Sequence, residues 1–255
     1  MFVAEIAEYF QRAGFTVLTY DPRSIGQSEG KPRNEIDPTR NAEDYHDALT
    51  FLKNHALVDP ARIALWGFSF SGMVALTAAA LDKRAKAVVA VSPLSIFEFP
   101  RDKWPGVLAK AMKDRESQLA GNPAFYIPMI TESGENPAGF GSGIDKEGFK
   151  LIAGAKTIVP NFELPTTLKS YYHIAAWNPL ALMPFVSPTP VMVVTPENDL
   201  VSPANNQKSL IFDKFQHPKR QLLVPGKGHM DVLSGKDFDG VLDAQVEFLR
   251  QVLRA

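Results

Sequence analysis

Ser69, Asp199 and His229 are the residues of this chain whose types and order could carry nucleophilic chemistry. A serine hydroxyl attacks poorly at neutral pH; it needs a base within hydrogen-bond reach to take its proton, and a carboxylate to hold that base in the right tautomer. Ser69 stands in Ile63-Ala64-Leu65-Trp66-Gly67-Phe68-Ser69-Phe70-Ser71-Gly72, an apolar strand running into a turn of small residues. That is the layout of a nucleophile elbow. A sharp strand-to-helix turn presents the hydroxyl at the carboxyl end of a sheet, and the amide of the next residue, here Phe70, can bind a developing oxyanion. The usual motif reads Gly-x-Ser-x-Gly, whereas here Ser71 takes the last place and the glycine arrives one position later.

Asp199 follows the apolar run 191–195, in Pro196-Glu197-Asn198-Asp199, and His229 follows the run 222–224, in Pro225-Gly226-Lys227-Gly228-His229. Serine, then acid, then histidine, each just past a strand, is the chain order of the α/β-hydrolase fold. Rivals remain at this level. Glu197 is a second carboxylate two residues from Asp199, which could instead cap a helix near Ser202-Pro203. His173 competes with His229, whereas His46, His55 and His217 fall in surface-type contexts. Ser71 fills the small-residue position that lets the turn close. The sequence has no Cys/His cluster, no His-Glu-x-x-His and no Gly-rich dinucleotide fingerprint, so neither a catalytic metal nor a cofactor is expected.

The elements that must position these residues alternate. Ala4, Ile6, Ala7, Phe10 and Ala13 recur at helical spacing before Gly14, and residues 15–20 read as a buried strand feeding a loop at Asp21-Pro22-Arg23. Helices are predicted over 42–55, 73–81, 204–215 and 238–253, and strands over 63–66, 87–91, 190–195 and 220–224. Such alternation predicts an α/β fold with a mainly parallel sheet covered on both faces. Ligands of such sheets sit beyond the carboxyl ends of the strands, where the three candidates fall. Arg23 is read as bracing its loop rather than binding. Between 94 and 186 the alternation stops and aromatics accumulate, among them Phe97, Phe99, Trp104, Phe125, Phe162, Tyr171 and Trp177. This segment reads as a cap or lid inserted into a core of residues 1–93 and 187–255, with a mobile glycine-rich loop at 136–143. Phe68, Trp104 and Trp177 are the candidates to line a substrate.

With 27 basic and 28 acidic residues in 255, and no long run of one sign, the chain offers neither a nucleic-acid groove nor a surface for anionic membranes. A small-molecule substrate is expected. No cysteine means no disulfide framework and no thiolate nucleophile. The first ten residues lack a secretory pattern and no apolar run is long enough to span a bilayer, so a cytoplasmic protein is the expectation. Oligomeric state stays open.

Beyond these residues, the chain resembles the α/β-hydrolases and, more narrowly, the fungal polyketide transferases related to dienelactone-hydrolase-like proteins. The resemblance rests on Tyr20-Asp21-Pro22-Arg23-Ser24-Ile25-Gly26-Gln27-Ser28-Glu29-Gly30, Pro32-Arg33-Asn34-Glu35-Ile36-Asp37-Pro38, Asp44-Tyr45-His46-Asp47-Ala48, Val58-Asp59-Pro60-Ala61-Arg62-Ile63, the elbow, Pro190-Val191-Met192-Val193-Val194 and Gly228-His229-Met230-Asp231. It implies the Gly-x-Ser-x-Ser-Gly form of the elbow, with Ser69, Asp199 and His229 as nucleophile, acid and base. It further implies acyl transfer from an ester or thioester of a polyketide-like chain, compatible with delivery by a carrier protein of a polyketide synthase. Relatives of this kind carry first strands and a His-Gly oxyanion loop ahead of the helix that opens this chain. The sheet is therefore expected to lack the strand between residues 15–20 and the elbow strand, as a truncated chain or one recruiting that strand from elsewhere. Phe70 is then the one oxyanion donor named. Two other classes stay open: a non-catalytic accessory or binding protein, and a carbon-carbon lyase or cyclase on the same fold.

Overall fold

The computed structural model describes residues 3–95, 102–131, 133, 136, 146–158, 164–235 and 238–254. In chain order its principal elements are α1 (Val3–Arg12), α2 (Pro38–Lys53), β1 (Ala64–Phe68), α3 (Phe70–Leu81), β2 (Ala87–Val91), α4 (Trp104–Leu119), β3 (Tyr126–Pro128), α5 (Lys146–Ile158), β4 (Pro165–Thr167), α6 (Leu168–Ala176), β5 (Val191–Pro196), α7 (Ala204–Asn206), β6 (Lys219–Val224) and α8 (Phe238–Val252). They divide into two compact units, residues 1–20, 42–95 and 179–255 in the first, and 21–41 with 96–178 in the second.

The first unit is built on a parallel sheet of order β1-β2-β5-β6, with Leu65 opposite Val88, Val89 opposite Met192 and Val193 opposite Gln221. Every residue of β2 and β5 is buried, the signature of parallel strands covered on both faces. On one face Ile6 and Phe10 of α1 and Val241, Leu242, Val246, Phe248 and Leu249 of α8 close over Val89, Val91, Met192 and Val194. Against β1 and β2 lies α3, buried without interruption from Gly72 to Ala80 and apolar over that stretch except at Thr77.

The second unit pairs β3 antiparallel to β4 and packs α4 on α6 around Ala111, Leu168 and Tyr171. Residues 21–41 belong to it because their polar groups are spent there: the Tyr126 hydroxyl donates to Arg33 O (2.8 Å), Thr166 to Asn34 O (2.5 Å), and the Ile36 amide to Ser170 Oγ (2.8 Å). Residues 179–186, read from sequence as the end of the insertion, group instead with the first unit, where the 3₁₀ helix Pro179–Phe185 packs on α3. The glycine-rich loop expected at 136–143 lies, apart from Asn136, outside the described residues, as do Phe97, Phe99 and Phe162.

Residues 15–20 are a correction: they form no strand, and Val17 and Tyr20 are exposed. A strand exists through its ladder, and no ladder partner reaches this segment among the described residues. Its side chains touch α2 and the turn beyond instead, Thr16 Oγ1 donating to Leu57 O (3.4 Å) and the Tyr20 ring meeting Tyr45 edge-on. β1 accordingly stands at the sheet edge, and two of its outward carbonyls are taken by hydroxyls, Trp66 O by Tyr45 (2.9 Å) and Phe68 O by Ser71 (2.9 Å). The helix predicted from 42 starts four residues earlier, because Asp37 Oδ1 accepts from the Thr39 and Arg40 amides and Pro38 takes the first helical position.

Candidate active site

The elbow is fixed by backbone contacts. Ser69 sits at φ 54° and ψ −119°, a conformation that costs an ordinary side chain about 1–3 kcal/mol and persists where its surroundings over-determine it. They do so here: the Ser69 amide donates to Val91 O (2.9 Å), and Ser69 O accepts from Met73 (3.2 Å) and Leu94 (3.1 Å). Gly67 is required, since a Cβ there would lie 2.3 Å from Ser71 O. Gly72 packs against Gly67 O and Pro93, where a Cβ would meet them at 3.1 and 3.4 Å. Ser71 remains exposed and closes the turn through its bond to Phe68 O. The displaced glycine is thus the one that touches the sheet, and the motif's last position is open enough to take serine.

Beyond β5 and β6 two loops are tied to one another, the Asn198 amide donating to Lys227 O (2.8 Å) and Glu197 Oε2 accepting from the Gly226 amide (2.8 Å). That bond commits Glu197 to the turn. Asp199 takes the other role: its Oδ1 and Oδ2 lie 3.0 and 2.9 Å from His229 Nδ1, and His229 Nε2 lies 2.8 Å from Ser69 Oγ. A carboxylate only accepts, so the network assigns the ring proton to Nδ1 and leaves Nε2 to accept from the serine hydroxyl. Asp199 and His229 are buried, and the Phe68 ring leans on the imidazole with centroids 5.1 Å apart. Gly228 is held by its amide, which donates to Asp231 Oδ1 (2.5 Å).

The rival histidines are engaged elsewhere. His46 Nδ1 stands 3.2 Å from Asp82, His55 Nδ1 accepts from the Leu57 amide, and His173 lies between Glu35 (3.8 Å) and Asp37 (3.6 Å) in the second unit. Burial alone would raise the Glu35 carboxyl, but the neighbouring His173 and the hydrogen bond and charge of Lys169 (2.9 Å) outweigh it and hold the group below its ordinary range. Trp104 and Trp177 are also in the second unit, Trp104 against the Ala111 cluster and Trp177 at the end of α6. Phe70 is the first residue of α3, so its amide follows Ser69 at the positive end of the helix. Arg33 braces the loop after Asp21, its guanidinium donating to Gly26 O and Ser28 O.

Sequence reasoning missed the polar shell behind Asp199. Ser202 Oγ donates to Pro93 O (2.7 Å) and meets Ser95 Oγ at 2.8 Å, and Gln207 Nε2 reaches Asp199 Oδ2 (3.1 Å). No motif marks these positions; the only signal was that polar residues occur where helix 204–215 should turn an apolar side inward. Among the described residues no group of three or more His, Asp and Glu side chains is placed to hold a metal ion, and no helix is long and apolar enough to cross a membrane.

Sheet and elbow together define an α/β-hydrolase fold, and the family described as alpha/beta hydrolase fold matches residues 1–236. The chain belongs to that family and is an enzyme of the hydrolase and acyltransferase class. It is similar to a thiohydrolase of Eupenicillium brefeldianum, 49% identical over 251 residues that cover 98% of this chain and 81% of the relative. It also resembles the polyketide transferase af380 of Aspergillus fumigatus, 44% identical over 250 residues, or 98% of this chain and 84% of that one. Among solved structures, DcsB in complex with its substrate analogue superposes with a TM-score of 0.91 at 42% identity, covering 99% of this chain and 86% of that one.

Proposed function

We propose that the protein transfers acyl groups through an ester on Ser69, taking them from a thioester or ester of a polyketide-like chain and passing them to water or an alcohol. The observation that carries this reading is the hydrogen-bonded chain Ser69–His229–Asp199 on a strained elbow. Relatives named as thiohydrolase and polyketide transferase support the substrate class.

In the first half-reaction His229 Nε2 takes the Ser69 proton as Oγ adds to the carbonyl carbon, and the negative charge moves to the carbonyl oxygen. The Phe70 amide, at the positive end of α3, serves that oxyanion. Asp199 steadies the imidazolium. Collapse of the adduct breaks the bond to the thiolate or alkoxide, which leaves with the proton from Nε2. In the second half-reaction His229 deprotonates water or an alcohol, that oxygen attacks the ester carbonyl, and Ser69 recovers its proton. Hydrolase and transferase differ only in this acceptor. Phe68, resting on the imidazole, lines the acyl chain beside the nucleophile. A phosphopantetheine arm of a carrier protein is the natural thioester donor.

The test is an intact-mass measurement after mixing with the N-acetylcysteamine thioester of a polyketide-like acyl chain, using the wild type and His229→Ala. The expected product is one acyl adduct in the wild type, mapped to the Ser69 peptide, formed far more slowly in His229→Ala and absent in Ser69→Ala. Turnover by Ser69→Ala at the wild-type rate contradicts the proposal. Adding alcohols then separates transfer from hydrolysis by the ratio of ester to free acid.

A further inference from the structure

We infer that Gln207 is a positioning residue for the acid of this site: its carboxamide fixes the Asp199 carboxylate against His229, and so sets how strongly the imidazole draws the Ser69 proton. The inference rests on the catalytic reading of Ser69, Asp199 and His229 above.

Gln207 is fully buried. Its Nε2 donates to Asp199 Oδ2 (3.1 Å) and to Ser202 O (2.6 Å), whereas its Oε1 is buried with no hydrogen-bond partner. The orientation is dictated by the neighbours. A flipped amide would turn its oxygen towards a carboxylate and a carbonyl, three acceptors with no proton between them. An apolar side chain of similar length would fill the same slot without burying an unpaired oxygen, so packing does not account for glutamine. What glutamine alone supplies is a neutral donor with two protons, one for the carboxylate and one for the backbone that carries it.

The backbone reinforces this placement. Gln207 opens a π-helical turn, Gln207–Ile211, between α7 and the 3₁₀ turn Phe212–Lys214. Such turns are rare and recur at functional sites, because the extra residue swings a side chain out of the α-helical register. Here the helix predicted over 204–215 is broken at the residue that reaches Asp199. The Val201 and Ser202 amides hold Oδ1 at 2.9 and 2.7 Å, Gln207 holds Oδ2, and His229 Nδ1 faces both oxygens. Three donors besides the imidazole then define the carboxylate plane.

The conservative test is Gln207→Met, which keeps length and volume but donates nothing, assayed with p-nitrophenyl acetate and octanoyl N-acetylcysteamine beside the wild type. A hydrogen bond to a charged group predicts a fall in kcat of about 10- to 100-fold. KM should stay within about twofold, since the contact to substrate is unchanged. With less of its charge shared, Asp199 stabilises the imidazolium more, and the acid limb of kcat/KM should move up by about 0.5 to 1 pH unit. A merely structural glutamine would lower the unfolding midpoint and leave kcat and the limb of the folded enzyme where they were; that result overturns the inference. If Gln207→Met does not fold, Gln207→Glu serves. Protonated, it still donates, and ionised it repels Asp199, so its activity relative to wild type should fall as pH rises; a profile parallel to wild type overturns the inference. Ser69→Ala separates the two levels: if it is inert while both Gln207 variants match wild type, Gln207 alone is misassigned. If Ser69→Ala turns over like wild type, the catalytic reading fails and the inference with it.

Discussion

Ser69 Oγ and His229 Nε2 lie 2.8 Å apart although 160 residues of chain separate them. The distance is set by the sheet. Ser69 follows β1 and His229 follows β6, at opposite edges of the four-stranded order, and both project from carboxyl ends of parallel strands. Asp199, after β5, completes the line from the strand adjoining β6.

The two carboxylates of the β5 loop should separate cleanly on mutation. Asp199→Asn keeps the shape but turns an amide towards Nδ1 and selects the wrong tautomer, so turnover should fall by about 10⁴-fold. Glu197→Gln leaves His229 untouched and should keep turnover within about threefold, at a cost of about 1 kcal/mol for the weakened bond to the Gly226 amide. Steady-state kinetics with a thioester and urea unfolding of both variants check this pair.

Gly67→Ala places a methyl 2.3 Å from Ser71 O, against backbone that cannot swing aside. Urea unfolding should show a loss of about 3 kcal/mol. Activity should fall further than the unfolded fraction explains, because Ser71 lies in the first turn of α3, whose Phe70 amide is the proposed oxyanion donor. Gly106→Ala, where a Cβ would meet nothing within 4 Å, is the control and should be within about 1 kcal/mol of wild type.

The elbow and its partners were legible because their chemistry constrains both residue type and chain order, and because buried parallel strands such as Ala87–Val91 announce themselves as apolar runs. Residues 15–20 were misread for the same reason in reverse. Their composition is that of a strand, but strand formation depends on a partner that periodicity does not reveal. The membership of residues 21–41 in the second unit was invisible, since it rests on hydroxyls and amides meeting across more than a hundred residues, such as Thr166 with Asn34. Gln207 escaped for a related reason: a single buried amide has no pattern.

The Glu35 cluster predicts a pH dependence of stability. Its carboxyl is held below the ordinary range when folded, so in the window beneath the unfolded value of about 4.3 the unfolded chain binds the extra proton. Stability from this group is therefore present above that value and lost as pH falls through the lower, folded one. Glu35→Gln removes the partner of Lys169 (2.9 Å) and should cost about 1–3 kcal/mol near neutral pH. The difference between variant and wild type should shrink as pH falls below about 4, which chemical unfolding at a series of pH values will read.

The central claim, an activated serine at position 69, is tested most directly by fluorophosphonate labelling followed by peptide mass mapping. The account predicts one phosphonyl group per chain on the peptide bearing Ser69, formed rapidly in the wild type, about 10³-fold or more slowly in His229→Ala, and absent in Ser69→Ala. A folded wild-type protein that stays unlabelled, or one labelled equally in Ser69→Ala, would contradict it.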